Sequence, residues 1–268
     1  MTSMAFRPPL TVVIGQDDDD GNDDHTAKIL PILSRIYIAS DILRLEEETK
    51  FSACVFLHRY AVAIGDKKLS EYKTVREWKL IAAVCLFLAC KAEEEARRMR
   101  DVINLSEMLF SNSNENQGNV ITMNDSPPEL NESYWEAKTR IVETERIVLR
   151  WLAFDLFVSH PHRVVVLLLE NESLREKLIP IAFRRLNDSL FYGPALRCNV
   201  LVLACTALEL AKEELFKSNS NNDDGGGGVS FSKGWTKRYD IDESRIEKTK
   251  SLLNEATKSL CDHAKGLI

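Results

Sequence analysis

Several absences in this 268-residue chain each close off a class of function. Its six cysteines form no CxxC pair, so the spacing offers neither a zinc ribbon nor a dithiol redox centre. Basic residues do not predominate. The net charge is −6, whereas nucleic-acid binders usually carry a basic surface. The apolar runs fall short of the ~20 residues a bilayer crossing needs. The amino-terminal residues show no cationic segment followed by an apolar one, so no signal peptide is expected. There is no phosphate loop, HExxH, GxSxG or kinase signature, which leaves no motif for an enzyme reading. Strand signals are scarce. Residues 164–169 are apolar enough for a strand, but Pro161 just before them and the helical surroundings favour helix.

What is present is ordinary in bulk. Apolar residues make up 44% and charged residues 28%, as in a soluble globular protein, and the length allows one large domain or two modest ones. Most of Cys54, Cys85, Cys90, Cys198, Cys205 and Cys261 lie inside apolar helical patterns. There a reduced thiol packs as a small hydrophobe, as expected of a cytosolic or nuclear protein.

Helical spacing starts near Ala27, after an acidic segment, 1–26, whose composition reads as disordered. Ile29, Ile32, Leu33, Ile36, Ala39 and Leu43 mark one apolar face. A second helix is predicted over about 49–64, with Phe51, Val55, Leu57 and Tyr60 as core and Gly65-Asp66 as its stop. A fourth helix follows over 97–110 and a fifth over 131–152, the latter after a polar loop, 111–130, containing Pro127-Pro128. Ser159-His160-Pro161 reads as a helix start, with serine as cap and proline in the first turn. Helices are then expected at about 160–170, 174–192, 195–216 and 242–263, with a loop over 217–240 that contains Gly225 to Gly228.

The third helix is the most informative stretch. From Leu80 to Cys90 it is hydrophobic on every side, and it ends abruptly in Lys91 and three glutamates. A helix apolar all round is normally buried on all sides, so it belongs at the centre of a bundle, with Lys91 emerging at the surface. Val200 to Leu208 is a second such helix. Laid over one another, Ile81 meets Leu201, Cys85 meets Cys205, Leu88 meets Leu208, Glu93 meets Glu213 and Glu94 meets Glu214. Two such helices imply two centres, hence two helical domains in tandem: 27–156 and 157–268.

The segments FSACVFLHRY, LIAAVCLFLACKAEE, RRMRDVIN, ETERIVLRWLAFDL and SHPH, in that order and spacing, resemble a cyclin. They are most similar to the transcription-type cyclins, and among those to the cyclin Q (cyclin M) subgroup, close to cyclins K and L. RDVIN, the pair Tyr134-Trp135, the FDLFVSHPH run and His58 in the second helix carry the nearest matches. The resemblance is strongest over about 27–170. It implies an all-α chain of two five-helix folds, each around a central apolar helix. It also implies no catalysis and no cofactor, and a heterodimer with a cyclin-dependent protein kinase, for this subgroup cyclin-dependent kinase ten. A nuclear location follows, with the cytoplasm as a second site; no membrane and no direct nucleic-acid contact are expected.

Carried over residue by residue, the resemblance assigns kinase binding to Lys91 and Glu145, with Leu88, Ala92, Leu149, Phe154 and Leu156 as apolar neighbours. The chemistry fits, because a lysine offers three donors and a glutamate two acceptor oxygens to one extended backbone. Where some cyclins carry a large aromatic, this chain has Ala92, which implies a shallower pocket. Plainer readings stand beside these. Lys91 suits the negative end of any helix, Glu145 could serve only as half of a surface ion pair, and Leu88, Leu149, Phe154 and Leu156 could be core. Glu93 to Glu95 and Arg97 to Arg100 read as a solvated turn, with a phosphorylated loop as a conceivable partner. His160 and His162 have no acidic or cysteine neighbour in sequence to complete a metal site. The competing function is a transcription factor of the TFIIB type, which uses the same fold on DNA but needs a basic face.

Overall fold

A computed structural model describes residues 24–71, 75–111, 132–170, 172–191, 198–219 and 241–265. Among the described residues the regular structure is helical, with no strand. The helices are α1 (Asp24–Ile42), α2 (Glu47–Glu71), α3 (Val75–Ala92), α4 (Met99–Ser111), α5 (Glu132–Trp151), α6 (Pro161–Leu168), α7 (Arg175–Ser189), α8 (Val200–Asn219) and α9 (Glu243–Lys265). The described chain divides between Val158 and Ser159 into two compact units. Of the loops expected at 111–130 and 217–240, residues 112–130 and 220–240 lie outside the described residues, as does most of 1–26.

In the first unit α3 touches α1, α2, α4 and α5. Every residue from Ile81 to Cys90 is at most 9% exposed, which is the arrangement an all-round apolar helix demands. Phe56, Leu57 and Tyr60 of α2 and Ile29, Leu33 and Ile36 of α1 fill the space around it. In the second unit α8 touches α6, α7 and α9. Its Ala204, Ala207 and Ala211, each 0% exposed, let neighbouring helices approach closely. Val165, Leu169, Leu178, Leu186 and Leu253 complete that core.

Local chemistry sets the boundaries, with four departures from expectation. Helix α1 begins at Asp24, inside the segment expected to be disordered, and carries Pro31 within it. Gly65 breaks α2 as expected (φ 72°, ψ 165°), but helix resumes beyond it to Glu71. Only glycine holds that positive φ without strain. The cap of α6 is His160, not Ser159; it makes no side-chain cap bond, and Pro161 fills the first turn, where its missing N–H costs nothing. Helix α8 runs on to Asn219, into the segment read as loop.

A buried cation ties the first two helices together. Lys50 is 7% exposed, and its Nζ donates to Asp41 Oδ1 at 2.5 Å and Glu47 Oε1 at 2.9 Å. Burial alone would lower its pKa, but the two carboxylates more than offset that and hold it at about 12.

Candidate partner-binding site

Lys91 lies in the last turn of α3 and Glu145 on α5. Their side chains meet, with Lys91 Nζ donating to Glu145 Oε1 across 54 positions of sequence. The Lys91 side chain is 44% exposed and that of Glu145 15%. The Phe87 ring lies beneath the ammonium, 4.2 Å from centroid to nitrogen, so the cation is held by an aromatic face as well as by its counter-ion. The pair sits at the surface where the buried helix emerges.

The turn after α3 fixes where that emergence occurs. Glu93, Glu95 and Arg97 are not the solvated residues their charge suggests, although Glu94 between them is exposed. Arg97 donates through Nη2 to the carbonyls of Leu43 (3.3 Å) and Arg44 (3.2 Å) and to Glu95 Oε1 (2.7 Å). Glu95 Oε2 accepts the backbone N–H of Glu46 (3.0 Å), and Glu93 Oε1 accepts the Ser52 hydroxyl (2.7 Å). The acids thus satisfy donors near the amino-terminal end of α2, where negative charge is favoured, while the arginine takes up carbonyls past the end of α1. The charges face the protein because the α1–α2 corner offers them backbone partners.

The apolar candidates separate into two groups. Leu88 is 2% exposed; it is core and supports the patch from beneath, because a helix enclosed on all sides has no outer face at that position. Ala92 and Leu149 are half-buried, and Leu149 lies one turn beyond Glu145 on α5. Phe154 is 68% exposed and Leu156 half-buried, both in the segment that follows α5.

That segment has an unusual backbone. Ala153 (φ 52°) and Phe154 (φ 60°) are consecutive non-glycine residues in the left-handed region, which costs an L-residue about 1–2 kcal/mol. The chain here is closed by Ala153 N–H to Arg150 O (3.1 Å), Phe154 N–H to Leu149 O (2.9 Å) and Asp155 N–H to Leu152 O (2.9 Å). Phe157 N–H donates to Asp155 Oδ1 at 3.2 Å. From α2, Arg59 Nη1 donates to Asp155 O (3.3 Å) and Phe157 O (3.1 Å). Burial draws the Arg59 pKa below its ordinary value, an effect Asp155 opposes. Phe157 itself is 76% exposed. Arg59, Phe157 and Phe87 were not singled out from sequence. The one available signal was an arginine beside Leu57 and Tyr60 in an otherwise core-facing run.

Residues 26–157 match the family described as "Cyclin, N-terminal domain". The chain belongs to the cyclin family. Among curated cyclins, it is 31% identical to Cyclin-L1 of Xenopus laevis over 267 residues, covering 92% of this chain and 50% of that one. It is 33% identical to Cyclin-L2 of Mus musculus over 205 residues, covering 70% of this chain and 38% of that one. It therefore spans half or less of the length of these relatives. Of solved structures, a chain of the yeast RNA Pol II CTD kinase CTDK-1 complex superposes with a TM-score of 0.59 at 21% identity, over 86% of this chain and 65% of that one. At that identity the superposition speaks for the fold. These relatives place the chain among the transcription-type cyclins, near cyclins K and L.

Proposed function

We propose that this cyclin is the regulatory subunit of a cyclin-dependent serine/threonine protein kinase, and that Lys91, Glu145, Ala92, Leu149, Phe154 and Leu156 form the surface that grips the kinase. The observation that carries the reading is the meeting of Lys91 and Glu145. A donor from one helix and an acceptor from another reach the surface together, and the segment after α5 exposes a phenylalanine on a strained backbone. Such a pair can bond both the carbonyls and the amides of one foreign segment, and charged groups make the stronger hydrogen bonds, about 1.5–3 kcal/mol each. Phe154 and Leu149 supply apolar area at roughly 25 cal/mol per Å². A cyclin bound beside the kinase's mobile helix holds that helix inward, which completes the kinase's lysine–glutamate pair and frees its activation segment. The catalytic groups are then the kinase's own.

Within this reading the kinase is of the cyclin-dependent kinase ten type, the substrates belong to transcription or cell-cycle control, and the complex acts in the nucleus. Likeness to a chain of a solved kinase complex supports the kinase partner in general; the resemblance to cyclin Q supports the particular kinase. Purification of the tagged chain from its native cell tests both. The expected result is one co-purifying cyclin-dependent kinase whose peptide phosphorylation rises when the chain is added back. Recovery of no kinase, or of one whose activity ignores the chain, would overturn the proposal.

A further inference from the structure

Arg59 stands in α2 among residues that serve the core, with Phe56, Leu57 and Tyr60 at 0, 0 and 1% exposure. Its guanidinium is spent elsewhere. One nitrogen, Nη1, donates to two carbonyls, those of Asp155 and Phe157, 96 and 98 positions away. Between and before those carbonyls lie the residues that expose the two phenylalanines.

The exposure matters because of how it is maintained. Phe154 is 68% and Phe157 76% exposed, so packing within the chain does little to set where either ring points. The backbone must set it, and the backbone at Ala153 and Phe154 has a conformation that L-residues disfavour. The bond from Phe157 N–H to Asp155 Oδ1 is local and would travel with the segment if it moved, while the bond from Phe154 N–H to Leu149 O ties only the start of the segment to the end of α5. The Arg59 bonds come from a different helix and fix the segment to the body of the unit. Strained conformations persist where surrounding structure over-determines them, and Arg59 supplies such a restraint. A planar guanidinium nitrogen with two N–H groups at a fixed angle suits two carbonyls; a lysine ammonium on a shorter stem does not reproduce that geometry.

We propose that Arg59 is a positioning residue of the kinase-binding surface, holding residues 153–157 in the shape that presents Phe154 and Phe157 to the partner. The inference rests on the proposed function for its consequence, but its structural half can be tested without any kinase.

The experiment has two arms on the full chain. In the first, amide hydrogen exchange is compared between wild type and Arg59→Met. The expected result is exchange about tenfold faster at residues 155–158, with α3 amides unchanged. Unchanged exchange at 155–158 would overturn the proposal. If α3 also exchanges faster, Arg59→Lys, which keeps the charge and most of the bulk, replaces the methionine variant in both arms. In the second arm, affinity for the kinase that co-purifies with the wild-type chain is measured in a double-mutant cycle with Phe154→Ala/Phe157→Ala. The expected result is about tenfold weaker binding from the Arg59 change in the wild-type background, and less than about twofold when both phenylalanines are already absent. An equal loss in both backgrounds, or no loss in either, would show that Arg59 does not act through the phenylalanines. Failure of the wider reading looks different: Lys91→Glu combined with Glu145→Lys would then bind that kinase as wild type does.

Discussion

Exchanging the two charges of the surface pair separates its role in the free chain from its role toward a partner. The variants are Lys91→Glu, Glu145→Lys and the two combined. In the free protein the pair is partly solvated, with Lys91 44% and Glu145 15% exposed. Exposed pairs of this kind contribute about 0.2–1 kcal/mol, so each single reversal should cost about 1 kcal/mol in a urea titration. The combined variant restores opposite charges at the same place and should return to within about 0.5 kcal/mol of wild type. Toward a kinase the arithmetic differs. The partner's carbonyls require a donor at position 91 and its amides an acceptor at position 145, and the swap meets each with the wrong group. Losing two charge-assisted hydrogen bonds at ~1.5 kcal/mol each, the low end of their range, gives ~3 kcal/mol, or roughly 100-fold in affinity. The swapped protein should therefore fold like wild type by circular dichroism and urea midpoint, yet fail to retain the kinase on a column and bind at least ~100-fold more weakly in calorimetry. Kinase affinity in the swapped variant within about threefold of wild type would refute the reasoning, and the pair would then be an ordinary surface contact.

Three further outcomes follow from the geometry. Glu94 is exposed with φ 58° just past α3, so Glu94→Gly should raise stability by up to about 1 kcal/mol in denaturant titration; a loss would mean the glutamate side chain carries an interaction that outweighs the strain. Lys50 has its pKa raised from 10.5 to about 12, so its contribution is whole below pH 10.5 and lost as pH rises through about 12. The urea midpoints of wild type and Lys50→Met should converge over that range, and a constant difference would contradict the ion-pair account. Burial holds the Cys54 thiol up at about 12 and that of Cys85 higher still, so neither should take up iodoacetamide in native buffer at pH 8, as read by peptide mass mapping, while both react in guanidinium.

The parts of this structure legible in the sequence are those that patterning alone determines. An apolar run with no polar side can only be a centre, so α3 and α8 and the helices around them could be read directly, with ends displaced by a few residues where caps and frayed turns decide. The same logic, carried one step further, would have placed Leu88 in the core, since a helix enclosed on every side cannot expose one leucine near its middle. The convergence of Lys91 and Glu145 was readable only through resemblance, because 54 intervening positions give no local cue. Other features could not be read at all. Two left-handed residues in a row at Ala153 and Phe154 contain no glycine or asparagine to announce them. The reach of Arg59 to Asp155 and Phe157 depends on how α2 packs beside the end of α5. Glu93, Glu95 and Arg97 look solvated until the α1–α2 corner is built beside them.

The burial of ten successive positions in α3, from Ile81 to Cys90, restricts how this chain can vary. Close-packed interiors register a change of even one methylene, so no side chain along that stretch can be resized cheaply, and a label or engineered cysteine placed there would disturb the whole bundle. Novelty is confined to the helix tip and the rim around it. Substitution at Ala92 or Phe154 is therefore open to evolution and to protein engineers alike, and with it any retuning of the proposed kinase contact, because neither position is wedged into the scaffold that displays it.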